Sequence, residues 1–341
     1  MRPLIGGLVL LLAAWFGYVL MTDETVAAPP MNFTSSQDCR ECHADIYAEW
    51  EQSHHAISWT NPAPRLLSND FAKEDCIDCH APRPLFVTGI GERVLPRQTR
   101  RVEGVDCISC HQLPPQADGT PGGMAGTLTN MSVACKPVER RELQSPDLCA
   151  ACHNQHKTVD QWRGSSFFEG LDQQDCNDCH MPIVESENGR HRSHRFPGGD
   201  VLTMVQSAVE LTGEPVDGQW VVTLSNVRGG HSFPTDERSR AADVFWRPLA
   251  ADGAEPGPWR HLHRMRSPYR DEVDIQDTLL LADEARRIPV TTATEGAGEP
   301  VAADQPIEVA LFYKRTPYWS DPENPDPDGE AQRVHRIVLE P

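Results

Sequence analysis

Ten of the eleven cysteines fall into one recurring pentapeptide, Cys-x-x-Cys-His. The five copies are Cys39/Cys42/His43, Cys76/Cys79/His80, Cys107/Cys110/His111, Cys149/Cys152/His153 and Cys176/Cys179/His180. Two thiols at this spacing can add across the two vinyl groups of a porphyrin, and the adjoining imidazole then reaches its iron. A zinc ribbon or redox dithiol also uses Cys-x-x-Cys, but gives no reason for a histidine immediately after each pair. With 14 histidines in 341 residues, five such coincidences have a chance of roughly one in ten million, so covalent haem c is the expected cofactor, five copies in all. Cys135 lies outside the set and reads as a small buried hydrophobe.

The sixth coordination position of each iron decides between chemistries. Fourteen histidines less five proximal ones leaves nine, enough to close all five irons. A closed iron passes electrons, whereas an open one can bind a substrate.

The elements that hold these groups are partly readable. The gaps between motif starts are 37, 31, 42 and 27 residues, so the motifs are not a strict repeat. One haem per thirty-odd residues leaves too little chain for a separate apolar core around each, so the haems themselves must form the core. A helix is expected from His43 to Ala56, with Tyr47, Trp50 and His54 on one face. A weaker helix is expected over Ser145–His156. The Pro- and Gly-rich stretch Gln112–Thr129 reads as a surface loop.

After residue 200 the texture changes to short β-branched and aromatic runs. These are Trp220–Leu224, Ala242–Trp246, Arg286–Thr292, Ile307–Tyr313 and Val334–Leu339, with no comparably clear helix. The expected fold class is α + β and multidomain: a mostly helix-and-loop pentahaem domain over 37–200, then a small antiparallel β-sandwich over 201–341.

Residues 1–22 combine a basic start with an uncharged apolar run at 4–21, which reads either as a cleaved signal peptide or as an inner-membrane anchor. Residues 23–36 read as a linker. Export agrees with c-type haem and with cysteines kept occupied, so the expected compartment is periplasmic, with membrane association through residues 4–21 if the run is retained. The formal net charge of −19 argues against nucleic acid or an anionic lipid surface and permits steering by basic redox-partner proteins. The acidic run Asp321–Glu330 reads as a solvated loop, since three prolines interrupt any calcium-loop pattern.

Several stretches resemble multihaem cytochromes c, among them hydroxylamine oxidoreductase and the tetrahaem acceptor that serves it. They include Tyr47-x-x-Trp50-x-x-Ser53-x-His55-Ala56, Gly104-Val-Asp-Cys-Ile-Ser-Cys-His111 and Gln161-Trp-Arg-Gly-Ser-Ser-Phe167. Cys176-Asn-Asp-Cys-His-Met-Pro182, Ser193-His194-Arg-Phe-Pro-Gly198 and Gly230-His231-Ser-Phe-Pro-Thr235 complete the set. The resemblance spans about residues 37–240 and implies that His55, His194 and His231 are distal iron ligands. His156, three residues past His153, is a fourth candidate. His54, His191, His261 and His263 compete for the fifth place, and His335 reads as structural.

The expected function is a periplasmic pentahaem carrier moving electrons between a membrane- or quinol-linked donor and a redox partner through mostly bis-histidine haems. Two alternatives stay open: a reductase or oxidase of a small nitrogen or sulfur species at one open haem, and a haem-conduit subunit docking through the β domain. No motif ends in the lysine that marks the catalytic haem of pentahaem nitrite reductases, and the chain lacks the eight motifs of hydroxylamine oxidoreductase.

Overall fold

A computed structural model describes residues 32–127, 133–171, 173–235, 240–249, 255–268, 276–293, 298–315 and 331–341. The apolar run at 4–21 and the acidic run at 321–330 lie outside these residues. Among the described residues no helix is long and apolar enough to cross a membrane.

Four motifs close on a single short helical turn, which places both thiols and the imidazole on one side. The turns are Glu74–His80, Cys107–His111, Pro146–His153 and Cys176–His180. The residue before each of the last three accepts from a free backbone N–H and fixes where the turn begins. Asp106 bonds Ser109 N and Asp175 bonds Asn177 N, while Ser145 bonds Asp147 N with Pro146 filling the first position.

The first motif is built differently. It follows a 3-10 turn, Ser36–Cys39, and His43 takes the N-cap position of the helix Ala44–Glu51. A core made of haems predicts covered thiols throughout, and Cys42 departs from that expectation: it is exposed, whereas the other nine motif cysteines are half-buried. The cause is local. Cys42 sits in the turn at 40–42, ahead of the helix, so no helical turn carries it inward as Cys79, Cys110, Cys152 and Cys179 are carried. His43 beside it is exposed too.

The helix Ala44–Glu51 is shorter than its composition predicts. It stops at Glu51, and residues 52–60 continue as turns. Tyr47 and Trp50 are buried together with Ala56, but His54 leaves their face. It stands half-exposed, 3.7 Å from Asp200. The expected loop 112–129 also differs: Met124–Gly126 (β1) pairs in parallel with Pro137–Glu139 (β2), and Met124 and Ala125 are buried. A hairpin of Ile183–Ser186 (β3) and Gly189–Arg192 (β4) follows the fifth motif.

Beyond it lie two antiparallel sheets. One has three strands, Val209–Val216 (β5), Gln219–Asn226 (β6) and Ala285–Pro289 (β9), in the order β5-β6-β9. The other has four, ordered β11-β10-β7-β8: Ala331–Leu339 (β11), Ile307–Lys314 (β10), Ala241–Pro248 (β7) and Arg260–Met265 (β8). Alternate residues of both sheets meet in one core, with Leu211, Trp220, Val222 and Leu224 against Val244, Trp246, Val309 and Leu311. The sequence reading missed β5, β8 and the helix Leu202–Ala208, whose Val205 joins this core.

The outer face of the four-stranded sheet is buried as well, and its charges are paired. Asp243, fully buried, accepts from Arg264 Nε at 2.7 Å and His261 Nε2 at 3.1 Å, and Lys314 Nζ lies 3.2 Å away. Glu308 is held by Arg247 at 2.7 Å and by Arg336. Burial alone would raise the Asp243 pKa. The hydrogen bonds and charges of His261 and Arg264 outweigh it and hold the carboxyl well below the usual range.

Candidate haem-ligating site

Three pairs of imidazoles face each other across similar gaps. Ring centroids are 6.0 Å apart for His55 and His153, 6.2 Å for His111 and His194, and 6.4 Å for His180 and His231. Two metal–nitrogen bonds of about 2.0–2.1 Å end to end, plus the ring radius at each side, put centroids about 6 Å apart. Each pair joins a motif histidine to one of the three histidines that the resemblance singles out.

The outward nitrogens are tied down in a consistent way. Nδ1 of His80 bonds the Ser58 carbonyl (2.8 Å), that of His111 the Ala125 carbonyl (2.8 Å) and that of His180 the Pro197 carbonyl (2.6 Å). Among the partners, His194 Nδ1 bonds Arg192 O (2.9 Å) and His231 Nδ1 bonds Ser232 O (3.0 Å). A carbonyl can only accept, so each bond puts the proton on Nδ1 and leaves the Nε2 lone pair for a metal. Burial also keeps the rings neutral. It pushes the His55 pKa down to about 3, with neighbouring His153 adding to the effect, and those of His194 and His231 down to about 4. Neutral imidazole is the ligating form.

Distant parts of the chain fix these rings. Val105 N donates to His55 O at 2.9 Å, and Trp50 Nε1 donates to Val105 O at 2.8 Å. Between them Gly104 has φ +59°, and a Cβ there would sit 2.7 Å from the Ala56 carbonyl, so only glycine fits. Glu49 accepts from His194 N at 2.8 Å. Buried Asn226, at the end of β6, donates to His231 O at 2.8 Å, so the three-stranded sheet sets that ring. Thr158 Oγ1 and Thr235 Oγ1 (2.7 Å), and Ser166 against Asp283, fasten the same edge to the motif half.

One segment serves three pairs. In Ser193–Pro197, His194 faces His111, and the Phe196 ring lies edge-on to His55 (4.3 Å) and to His194 (5.8 Å). Pro197 O takes the His180 proton. Sequence reading found His194 but missed Phe196 and the carbonyls of Ser58, Ala125 and Pro197. Backbone acceptors leave no mark on residue type.

The motifs themselves interlock. The Cys39 side chain lies beside that of Cys107, Cys79 beside Cys152, and Cys149 beside Cys176. Gln155 Nε2 also reaches Cys79 Sγ at 3.4 Å. The first motif thus adjoins the third, and the fourth adjoins the second and the fifth. Exposed Cys42 takes no part in this pairing of thiols. Its neighbour is Cys135, which is half-buried and not fully buried as its type suggests. Burial raises the Cys135 pKa, and the nearby Cys42 adds to the rise.

The remaining candidates fall elsewhere. Among the described residues His43 and His80 face no second imidazole at such a distance; the Phe71 ring, stacked on Trp59, lies 4.9 Å from His80. The His156 side chain lies outside the described residues. His191, on β4, has Nε2 3.4 Å from Glu49. His261 is engaged by Asp243, His263 approaches Arg286 at 3.4 Å, and His335 Nε2 bonds Val209 O at 2.7 Å. The thiol spacing, facing imidazoles and Nδ1 bonds all suit haem c.

The family model described as cytochrome c554 and c-prime matches residues 38–112, which include the first three motifs. A penta-heme cytochrome c552 from Thermochromatium tepidum has a similar fold, with a TM-score of 0.63 at 17% identity, covering 91% of this chain and 99% of that one. A search of curated proteins gave no match. The motifs, the family model and the shared fold together support a multihaem c-type cytochrome with covalently held haem.

Proposed function

We propose that the chain is a periplasmic pentahaem electron carrier, working between a membrane- or quinol-linked donor and a redox-partner protein. The facing imidazole pairs carry the reading. Each haem iron, when bound, supplies a one-electron redox couple. The chain's part is to close the coordination sphere: His153 with His55, His111 with His194, and His180 with His231. With haem bound, these three pairs would leave no place for substrate at their irons, and the adjoining motifs would hold neighbouring haems near one another for electron transfer. His43 and His80 anchor the other two haems, with His156, His191 and His54 as candidate partners. The exposed Cys42 and His43 put the first of these attachment sites at the surface, where a partner can reach it. The resemblance to hydroxylamine oxidoreductase and its acceptor supports redox traffic of this kind.

Intact mass of the mature protein tests the count: the reading expects five haem additions, and fewer would refute it. Low-temperature EPR of the oxidised protein tests the ligation. A second reading rests on His80, whose described ring neighbour is Phe71 rather than a histidine. If that iron is open, a high-spin signal that shifts with nitrite or hydroxylamine replaces a wholly low-spin spectrum, and the protein is a reductase or oxidase.

A further inference from the structure

Between the second and third motifs lies a cavity of about 490 Å³ that the haem ligands do not use. Arg83, Arg97, Arg100, Gln98, Thr99 and Gln112 line it with two prolines, and no carboxylate is among its described lining residues. In a chain of net charge −19 such a wall is unusual. The segment is anchored just after His80, with Arg97 N bonded to Ala81 O at 2.9 Å and Arg83 N to Leu95 O at 2.8 Å.

Arg97 is 6% exposed. Its terminal nitrogens reach Asp106 (2.9 Å) and the carbonyls of Arg100 (2.8 Å) and Gly104 (2.7 Å), yet its Nε is buried and has no hydrogen-bond partner. A buried donor left unmade is costly. Arg100 is shared between Glu103 (2.9 Å) and Asp106 (3.0 Å). Two arginines and two carboxylates therefore balance behind the wall. The exposed Arg83 is extra: no hydrogen bond or ion pair among the described residues uses its guanidinium. An uncompensated cation and three neutral polar side chains around one cavity are what a small oxyanion needs.

We propose that this pocket binds an oxyanion, with Arg83 supplying the net charge and Gln98, Thr99 and Gln112 the neutral polar wall. The oxygens could come from a free anion in solution or from a propionate arm of a haem held by an adjoining motif. The probe is inorganic phosphate, titrated into the haem-loaded protein by calorimetry and during potentiometry. The variants are Arg83→Gln, an exposed site where folding is undisturbed, and Arg190→Gln, an exposed arginine on β4, as control. For a free anion, phosphate binds the wild type, and only Arg83→Gln weakens it, by about tenfold or more. For a propionate, phosphate does not bind, but Arg83→Gln lowers one midpoint potential and Arg190→Gln does not, because removing a nearby cation disfavours the reduced haem. Phosphate binding that Arg83→Gln leaves unchanged overturns the proposal. So does the absence of both binding and potential shift. The calorimetric arm is independent of the haem-carrier reading and the potential arm rests on it, so the intact-mass count separates the two failures.

Discussion

At the scale of single residues, the proposed chemistry rests on imidazoles, five of which already have Nδ1 committed to a backbone carbonyl. His231 illustrates the consequence. Its Nδ1 bonds Ser232 O, and its backbone carbonyl is held by Asn226, a bond that survives loss of the ring, so removing the ring leaves a formed gap instead of a collapsed loop. Replacing His231 by alanine is expected to convert one low-spin haem to high-spin while the others keep their signals; an unchanged EPR spectrum would count against its ligand role. Asp243 makes the opposite point, a charge with no visible redox task. Its carboxyl is held below the usual range, so its contribution to stability is present above about pH 4. That contribution is lost as pH falls through the depressed folded value. Asp243→Asn leaves Lys314, Arg264 and His261 facing a neutral group and is expected to cost about 3–5 kcal/mol at neutral pH. Denaturant titrations against pH check both statements: the variant should lose part of the wild type's acid-dependent fall, with the depressed carboxyls of Asp106 and Glu308 keeping theirs.

At the scale of elements, what could be read from sequence followed local pattern. The five motifs and five of the seven sandwich strands have signatures within a few neighbouring residues. The pentapeptide alone did not reveal that Cys42 stands outside a helical turn, because the difference lies in the 3-10 turn that precedes it. Strand β5 was hidden because Gly213 and Pro215 interrupt its run. Strand β8, Arg-His-Leu-His-Arg-Met, reads as polar until Asp243 on the adjacent strand is known to neutralise it. His55, His194 and His231 could be named, but which motif each one faces could not. His55 and His153 lie 98 residues apart in sequence, and only the folded turns bring them together. Gly104 is the hinge of that arrangement. Gly104→Ala forces a side chain into a left-handed backbone position and against the Ala56 carbonyl, with an expected cost of about 1–3 kcal/mol. A lowered thermal midpoint together with an altered EPR signal for one haem would show that this loop sets His55. A lowered midpoint with no spectral change would assign it to stability alone.

At the scale of the whole molecule, acidity and connectivity matter most. With a net charge of −19, association with a basic redox partner should slow steeply as salt rises from low to physiological ionic strength, because the attraction is screened beyond about 8–10 Å. Stopped-flow rates that do not change with salt would argue for an apolar docking face instead. Connectivity is concentrated in Ser193–Pro197, which supplies one ring to the third motif, a wedge against the partner of the fourth and a proton acceptor to the fifth. In the proposed ligation three coordination spheres would hang from these five consecutive residues, and a shift of the segment would pull on all three. Redox levels built this way are retuned as a set, and a substitution in the strap is inherited by three centres at once.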